Sequence, residues 1–136
     1  SLSENSMQEH ALVLLDIDGF KSFNDTYGHA VGDNIVRLVA DTVKNLFRAT
    51  DIVGRFGGDE FILFIKNTPS REWLIEKLHK LIRCEEGNYC CTNSIGISMF
   101  PQDATEFNLL FEKADRALYQ SKLAKGKIAF FSEQNI

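Results

Sequence analysis

An apolar run, a helical segment and a hairpin follow one another in the first half of the chain, and this order constrains the fold. Residues 11–15 form a continuous apolar run, which is typical of a strand buried on both faces. Residues 51–56 and 61–65 are two further apolar-rich runs, and Gly57-Gly58 turns the chain between them. A helix is predicted before the hairpin, because apolar residues recur there at spacings of three and four: Val36, Val39, Val43 and Leu46.

The second half predicts helix, strand, helix and strand. Thr68-Pro69 suits the N-cap and first position of a helix that continues through Leu74, Leu78 and Leu81. Residues 91–99 predict a strand, and residues 128–131 a short final one. Thr105 is the expected cap of the last helix. One side of that helix is expected to carry Phe107, Leu110, Ala114, Leu118 and Ser121.

The order βα-ββ-αβ-αβ predicts an α+β fold with a ferredoxin-like split βαβ core, a central antiparallel sheet flanked by helices. A right-handed crossover makes the first two strands parallel and leaves a slot between them for the third. The hairpin tip at Gly57-Gly58 then lies at the same end of the sheet as Asp16, although they are some 40 positions apart.

Carboxylates at this end of the sheet suggest a metal and phosphate site. Asp16 and Asp18 share a face if the strand stays regular, and Asp59 arrives from the hairpin. Magnesium prefers one or two carboxylates together with substrate phosphates, and Gly57-Gly58 lets the backbone approach a phosphate. Two metals there would activate an attacking hydroxyl and stabilise a leaving pyrophosphate. Each motif alone is also common in solvated loops and turns, so only their meeting at one place carries the hypothesis.

Composition describes one globular domain, with residues 1–10 as a polar lead-in and residues 11–131 as its core. Of 136 residues, 44% are hydrophobic and 25% are charged, and eleven are Phe. A net charge of −4 argues against general electrostatic binding to nucleic acid or membrane, and no apolar run approaches the ~20 residues of a membrane span. Cys84, Cys90 and Cys91 lack zinc-site spacing, so we expect reduced cysteines and a cytoplasmic location.

Four motifs give the chain a resemblance to the GGDEF domain family. Residues 16–25, with Gly28-His29 and Gly32-Asp33, resemble the start of these domains, and residues 57–61 are the motif that names them. Residues 94–98 and 114–119 resemble two further family motifs. The resemblance covers residues 11–131 and implies a palm-like, nucleotidyl-cyclase version of the fold. It also implies a diguanylate cyclase, which condenses two GTP into cyclic di-GMP and two pyrophosphates across a homodimer.

The resemblance implies roles for the matching carboxylates. Asp16, the Ile17 carbonyl and Asp59 would hold Mg²⁺, with Mn²⁺ as an alternative, whereas the strand pattern alone favours Asp18 beside Asp16. Glu60 is the candidate base or metal partner for the 3′-hydroxyl, and Asp59 is counted with it among the catalytic residues.

Substrate contacts follow from the same resemblance. The backbone of Phe20 and the ammonium of Lys21 would hold phosphate, and Lys21 is also counted as catalytic; Gly57 and Gly58 complete this phosphate-binding set. Asn24 and Asp33 would contact guanine. A carboxylate accepts from the N1–H and N2–H donors of guanine, which adenine lacks as a pair, so Asp33 favours GTP over ATP.

Lysines near the C-terminus match the family only in part. Lys122 matches a phosphate-binding lysine, but position 126, where the family usually has a second basic residue, is Gly126. Either Lys125 or Lys127 could supply that contact, and a solvated helix end is the alternative reading of all three lysines.

Arg48-Ala49-Thr50-Asp51 matches the family's inhibitory site for its product at the expected offset. A guanidinium can pair with guanine or phosphate and a carboxylate can accept from guanine, although an ordinary surface salt bridge is the default elsewhere. The motif predicts inhibition by cyclic di-GMP.

Family members usually carry an Asp-x-Leu-Thr-Gly-Leu-x-Asn-Arg segment well before the first strand, and this chain lacks it. We therefore expect an N-terminally truncated part of a longer protein, either soluble or membrane-tethered, whose sensory or linker module lies elsewhere. Such a fragment would have low activity. The alternative function is a weak or inactive regulatory module that binds cyclic di-GMP or GTP, although the intact motif at residues 57–61 favours the enzyme.

Overall fold

A computed structural model describes residues 8–48 and 51–134. The described elements, in chain order, are β1 His10–Ile17, α1 Phe20–Tyr27, α2 His29–Leu46, β2 Ile52–Phe56, β3 Glu60–Ile65, α3 Arg71–His79, β4 Arg83–Glu86, β5 Tyr89–Phe100, α4 Phe107–Ala124, β6 Ile128–Phe130 and α5 Phe131–Gln134. No helix in these ranges is long and apolar enough to cross a membrane.

The core of the sheet has the predicted arrangement. Its strand order is β2-β3-β1-β5-β4, and β6 pairs with β5 in parallel. β3 lies between β1 and β2 and is antiparallel to both, which confirms the split βαβ core. The β1–β3 register places Asp16 opposite Glu60, so the end of β1 and the hairpin meet as expected.

Both faces of β1 are buried, which explains its continuous apolar run. Val13 and Leu15 lie in a cluster with residues of α2 and α3, such as Val39 and Leu74. Leu12 lies in a second cluster that α4 covers on the other face. Alternate side chains of a strand point to opposite faces, so every position from Ala11 to Leu15 is apolar.

Close packing of α4 on β5 depends on Gly96. A Cβ at this position would lie 2.2 Å from the Leu118 nitrogen and 2.4 Å from the Ala114 carbonyl oxygen. Ser98, two residues along, donates to the Leu110 carbonyl oxygen at 2.7 Å. The motif at residues 94–98 therefore docks a strand against a helix.

Both predicted helix caps are wrong by one or two residues. Ser70 caps α3 and accepts from the Trp73 N–H at 3.0 Å, because Thr68 instead donates its N–H and hydroxyl to the Glu9 carbonyl oxygen. Glu106, not Thr105, is the N-cap of α4, and it makes no side-chain capping bond.

Two further details differ from the predicted helices. Phe107, expected on the buried side of α4, lies in the first turn of the helix and is 56% exposed. Leu81 is buried but lies past the end of α3 at His79.

β4 was not predicted. It pairs with β5 around a turn in which Gly87 has a φ of 61°. Gly87-Asn88 between polar and apolar residues was the available hairpin signal, but Arg83–Glu86 is too polar to suggest a buried strand.

Candidate active site

A cavity of about 550 Å³ opens where β1 ends. It is lined by the end of β1, the start of α1, the hairpin and the end of α4: Asp16, Ile17, Asp18, Gly19, Phe20, Lys21, Ser22, Asp25, Asp59, Lys122 and Lys125. Segments far apart in sequence thus combine carboxylates and lysines around one space.

Asp16 is a buried carboxyl group at the base of this cavity. Only 7% of the residue is exposed, and its Oδ1 atom is buried without a hydrogen-bond partner among the described residues. Lys122 reaches across from α4 and forms an ion pair with Oδ2. Burial raises the pKa of Asp16 to about 6 and the nearby Asp59 adds to this rise, while the contact with Lys122 opposes it.

The cavity's carboxylates fit a hard divalent cation that shares its coordination with a ligand. In the described ranges no group of three or more His, Cys, Asp or Glu side chains converges to hold a metal by itself. Asp16 and Asp59 converge as two carboxylates, and the Ile17 N–H bonds the Asp59 carbonyl oxygen at 3.1 Å, which fixes their loops together. The orphaned Oδ1 of Asp16 and this pair match Mg²⁺, which takes one or two carboxylates plus phosphate oxygens.

The first turn of α1 faces the cavity and suits an anion. Gly19, Phe20, Lys21 and Ser22 all line it, and the N-cap Gly19 provides no side-chain capping bond. The first backbone N–H groups of a helix lack intrahelical partners and attract negative charge. The exposed Lys21 ammonium adds a full positive charge beside them.

Asp18 lines the same cavity, but both of its carboxylate oxygens accept hydrogen bonds from other residues of the chain. Its Oδ1 accepts from the Ser94 hydroxyl at 2.6 Å, and its Oδ2 accepts from the Thr92 hydroxyl at 2.6 Å and from the Gly126 N–H at 3.0 Å. β1 ends at Ile17, so the strand argument that paired Asp18 with Asp16 does not hold. This carboxylate fastens β5 and the turn after α4 to the end of β1.

The expected guanine pair is carried by α1 and α2. Asn24 is half-buried and its Oδ1 is a buried atom without a hydrogen-bond partner in the described part of the chain. Gly32 lies against it, since a Cβ at position 32 would be 1.6 Å from that oxygen. Asp33, the next residue of α2, is exposed. Neither Asn24 nor Asp33 is among the residues that line the cavity, but Asn24 directly precedes Asp25, which is.

The hairpin tip at Gly57-Gly58 is exposed to solvent. Gly57 has a φ of 72°, which favours glycine, and Arg55 donates Nε and Nη2 to the Gly58 carbonyl oxygen at 3.2 and 2.6 Å. Neither glycine lines the cavity, and neither does Glu60. Burial, then the charge of Asp16, raises the pKa of Glu60.

The family model described as "Diguanylate cyclase, GGDEF domain" matches residues 1–127. The chain belongs to the diguanylate cyclase GGDEF domain family. Membership in this family of nucleotidyltransferases, and the fold that the resemblance implied, are thereby confirmed.

Relatives of this GGDEF domain carry different names. The chain is 37% identical over 119 residues to Diguanylate cyclase A of Treponema denticola, covering 82% of this chain and 32% of that protein. It is 34% identical over 131 residues to Cyclic di-GMP phosphodiesterase NbdA of Pseudomonas aeruginosa, covering 91% of this chain and 17% of that protein. The chain therefore spans a third or less of the length of these two proteins.

A solved structure shares the fold of this GGDEF domain. The GGDEF domain of DgcB from Caulobacter crescentus, in complex with c-di-GMP, aligns with a TM-score of 0.77 and 27% sequence identity. The alignment covers 96% of this chain and 82% of that one.

The second predicted site of the GGDEF domain lies at the other end of the sheet. Arg48 Nη2 donates to the Lys66 carbonyl oxygen at 2.8 Å, and Asp51 Oδ1 accepts from the Lys66 N–H at 3.3 Å. Both side chains line a small cavity of about 160 Å³ with Trp73 and Lys77. The two middle residues of the motif, Ala49 and Thr50, lie outside the described residues.

Several cavity residues escaped sequence reasoning. Ser22 and Asp25 line the cavity because they lie in the first turns of α1, a helix that was not separated from α2 by the apolar pattern. Lys125 and Lys127 were both expected as alternatives for a second phosphate contact, and only Lys125 lines the cavity. Gly28, with a φ of 93° between the two helices, was the signal for a break.

Proposed function

We propose that this domain is a Mg²⁺-dependent diguanylate cyclase that works as a homodimer and is inhibited by its product. The observation that carries the proposal is the cavity at the end of β1, which brings carboxylates, an uncapped helix N-terminus and lysines together. This set suits a nucleoside triphosphate with its metal, and family membership supports the reaction.

In this proposal the triphosphate lies along the first turn of α1. The Phe20 backbone N–H and the Lys21 and Lys122 ammonium groups would hold it, and Gly57-Gly58 would let the hairpin backbone approach. Lys122 keeps its proton in this role, because contact with Asp16 and the charges of Glu60 and Asp59 raise its pKa despite the opposing effect of burial.

Guanine selectivity is assigned to Asn24 and Asp33. The Oδ1 of Asn24 has no hydrogen-bond partner in the described part of the chain, and the exposed Asp33 carboxylate can accept from N1–H and N2–H of guanine. ATP should therefore be a poor substrate.

Each of the two condensations forms one O3′–Pα bond and breaks one Pα–O–Pβ bond, releasing pyrophosphate. Glu60 is the proposed acceptor of the 3′-hydroxyl proton, and its raised pKa moves it towards neutral pH, where a base is most effective. Asp16, the Ile17 carbonyl and Asp59 would hold Mg²⁺, or Mn²⁺ in its place, which when bound supplies charge stabilisation for the phosphoryl oxygens.

A thermal shift tests the metal assignment without turnover. Millimolar Mg²⁺ should raise the melting temperature of the parent chain, because binding only to the folded state stabilises it. Asp16→Asn should abolish that shift, and Asp41→Asn, an exposed change on α2, should not. An equal Mg²⁺ shift in parent and Asp16→Asn would refute the assignment.

Incubation with GTP and Mg²⁺, followed by chromatography, tests the reaction itself. Cyclic di-GMP and two equivalents of pyrophosphate are expected. Asp59→Ala should reduce turnover at least about 100-fold, because loss of one electrostatic contact to a transition state typically has an effect of that size. If the dimeric, full-length protein makes no cyclic di-GMP, the proposed cyclase activity is wrong and the regulatory binding module is favoured.

Product inhibition is proposed at Arg48 and Asp51. The two side chains meet at Lys66, and the related DgcB domain was solved with c-di-GMP. Arg48→Ala should weaken cyclic di-GMP binding about tenfold or more, since a charged hydrogen bond is worth about 1.5–3 kcal/mol. Unchanged affinity would remove this part of the proposal.

We further propose that the domain is part of a longer protein with a sensory or linker module, as the lengths of its relatives suggest. Its substrate is an intracellular nucleotide, so the domain would act in the cytoplasm.

A further inference from the structure

Three lysines lie at or just after the end of α4, and the cavity includes Lys122 and Lys125 but not Lys127. We propose that Lys125 is a ligand-binding residue that contacts the triphosphate, and that Asp18 is the positioning residue that holds it there. This inference rests on the proposed nucleotide site but not on its catalytic turnover.

The turn that carries Lys125 is fastened on both sides. On one side the Gly126 N–H donates to Asp18 Oδ2 at 3.0 Å. On the other side the Lys127 carbonyl oxygen accepts from the Ser121 hydroxyl at 2.6 Å and from the Ile95 N–H at 2.9 Å. The backbone therefore has little freedom to turn Lys125 away from the cavity.

Lys125 occupies a backbone conformation that lysine rarely adopts. Its φ is 59° and its ψ is 145°, and Gly126 follows with a φ of 59°. A non-glycine residue stays in this region only where the surroundings enforce it, and such residues cluster at functional sites. Here the bonds to Asp18 and Ser121 enforce it, including the Lys125 N–H to the Ser121 carbonyl oxygen at 2.9 Å.

Charge makes Lys125 useful in this position. Lys122 already forms an ion pair with Asp16, so its charge is shared with a carboxylate. Among the described residues, Lys125 and Lys21 make no ion pair. A triphosphate carries several negative charges, and Lys125 and Lys21 both line the cavity that would hold it.

Asp18 is suited to act as the anchor because its carboxylate accepts three bonds. The Ser94 hydroxyl of β5 donates to Oδ1. The Thr92 hydroxyl of β5 and the Gly126 N–H, in the turn after α4, both donate to Oδ2. Hydrogen bonds to the charged form strengthen each other in such a network. Asp18, directly after β1, is thereby bonded to the turn that carries Lys125.

Titration calorimetry with a GTP analogue that carries a methylene bridge between the α- and β-phosphates, in Mg²⁺, measures the contact without turnover. Lys125→Ala should weaken binding about tenfold, while the affinity for guanosine stays unchanged. Lys125→Arg should retain most of the affinity. Lys127→Ala is the matched control, and it should bind as the parent does.

The positioning role of Asp18 is tested by a double-mutant cycle. Asp18→Asn should weaken binding of the analogue as much as Lys125→Ala does, and the double variant should bind no more weakly than either. A general structural role would instead give additive losses. If circular dichroism shows that Asp18→Asn does not fold, Thr92→Val takes its place, because it removes a donor to the same carboxylate. Thr92→Val should cause a smaller loss of affinity for the analogue, and it should cause no further loss when combined with Lys125→Ala.

Equal affinity of parent and Lys125→Ala, or equal losses in Lys125→Ala and Lys127→Ala, would overturn the inference. A parent chain that binds the analogue with these differences but makes no cyclic di-GMP would overturn only the cyclase. A parent chain that does not bind the analogue would overturn both.

Discussion

The carboxyl group of Asp16 is buried, and burial disfavours its charged form. Its pKa is raised from 3.8 to about 6 by burial, so the folded state binds the proton more tightly than the unfolded chain does. The resulting stabilisation is complete below about pH 4 and is lost as the pH rises through 6. At neutral pH the buried charge costs up to about 3 kcal/mol, since one pKa unit corresponds to about 1.4 kcal/mol.

Asp16→Asn should therefore stabilise the domain at pH 7.5 in the absence of divalent cations. We expect a gain on the order of 1–3 kcal/mol at pH 7.5 and little gain at pH 4, measured by urea denaturation. Asp41→Asn is the control. A gain of the same size at both pH values would show that the charge of Asp16 is not its cause.

Gly32 leaves room for the side chain of Asn24, the proposed base-binding residue. Gly32→Ala should push the Asn24 side chain aside, because the new Cβ would lie 1.6 Å from Oδ1. Affinity for the methylene-bridged GTP analogue should fall about tenfold, while binding of inorganic triphosphate stays the same. Asn45→Ala, an exposed change on the same helix, is the control, and a loss shared by both ligands would contradict this role.

Single residues show where sequence reasoning reached its limit. The spacing of Asp16 and Asp18 correctly marked the end of β1 as polar, but a period of two holds only while a strand continues. The strand ends at Ile17, and the donors that turn Asp18 away come from Thr92, Ser94 and Gly126, more than 70 positions later. Contacts of that range leave no pattern in a single sequence.

The contact between α4 and β5 decides whether Lys122 and Lys125, two of the three lysines that line the cavity, are in place. α4 lies so close to the strand at Gly96 that backbone atoms, which cannot rotate away, would meet any side chain there. The helix carries Lys122 in its last turn, so its distance from the sheet sets the distance from Lys122 to Asp16.

Gly96→Ala should destabilise the domain by about 3 kcal/mol or more, or prevent folding, because the overpacked atoms belong to the backbone. Gly54→Ala is the matched control in β2, where a Cβ would lie 3.8 Å from the Ile62 carbonyl oxygen, an ordinary contact. Thermal denaturation followed by circular dichroism distinguishes the two. Similar melting temperatures would show that α4 can move outward without loss.

Strongly patterned elements were predictable and weakly patterned ones were not. β1 and the β2–β3 hairpin follow from apolar runs and a glycine pair, and their arrangement follows from the handedness of the crossover. α1 has no buried residue, and β4 has a single one, Cys84, so neither leaves an apolar signature. The predicted cap at Thr68 is wrong because Thr68 forms tertiary hydrogen bonds that local chemistry does not reveal.

The molecule separates its two proposed sites along β3. Glu60 lies at the end that faces the cavity, and Ile65 at the other end precedes Lys66, which meets Arg48 and Asp51. Product bound at the second site would therefore leave the substrate cavity of its own domain open. Inhibition should then be noncompetitive with GTP.

In the proposed reaction the cavity of each domain holds one GTP, so two domains must meet. Specific activity should rise in proportion to protein concentration while the dimer is scarce, and fusion to a dimeric coiled coil should remove that dependence. Initial rates measured from nanomolar to micromolar protein give the answer. A constant specific activity in a protein that sedimentation shows to be monomeric would contradict the dimer.

The hydrogen bond from Gly126 to Asp18 spans 108 positions, and this has a consequence for synthesis. Ribosomes release the N-terminal part first, so β1, α1 and the hairpin emerge with their carboxylates before α4 and β6 exist. A nascent chain that stops short of residue 121 has neither Lys122 nor the turn that Asp18 holds. The proposed nucleotide pocket is thus complete only after nearly the whole domain has left the ribosome, and prematurely terminated products should bind nucleotide poorly.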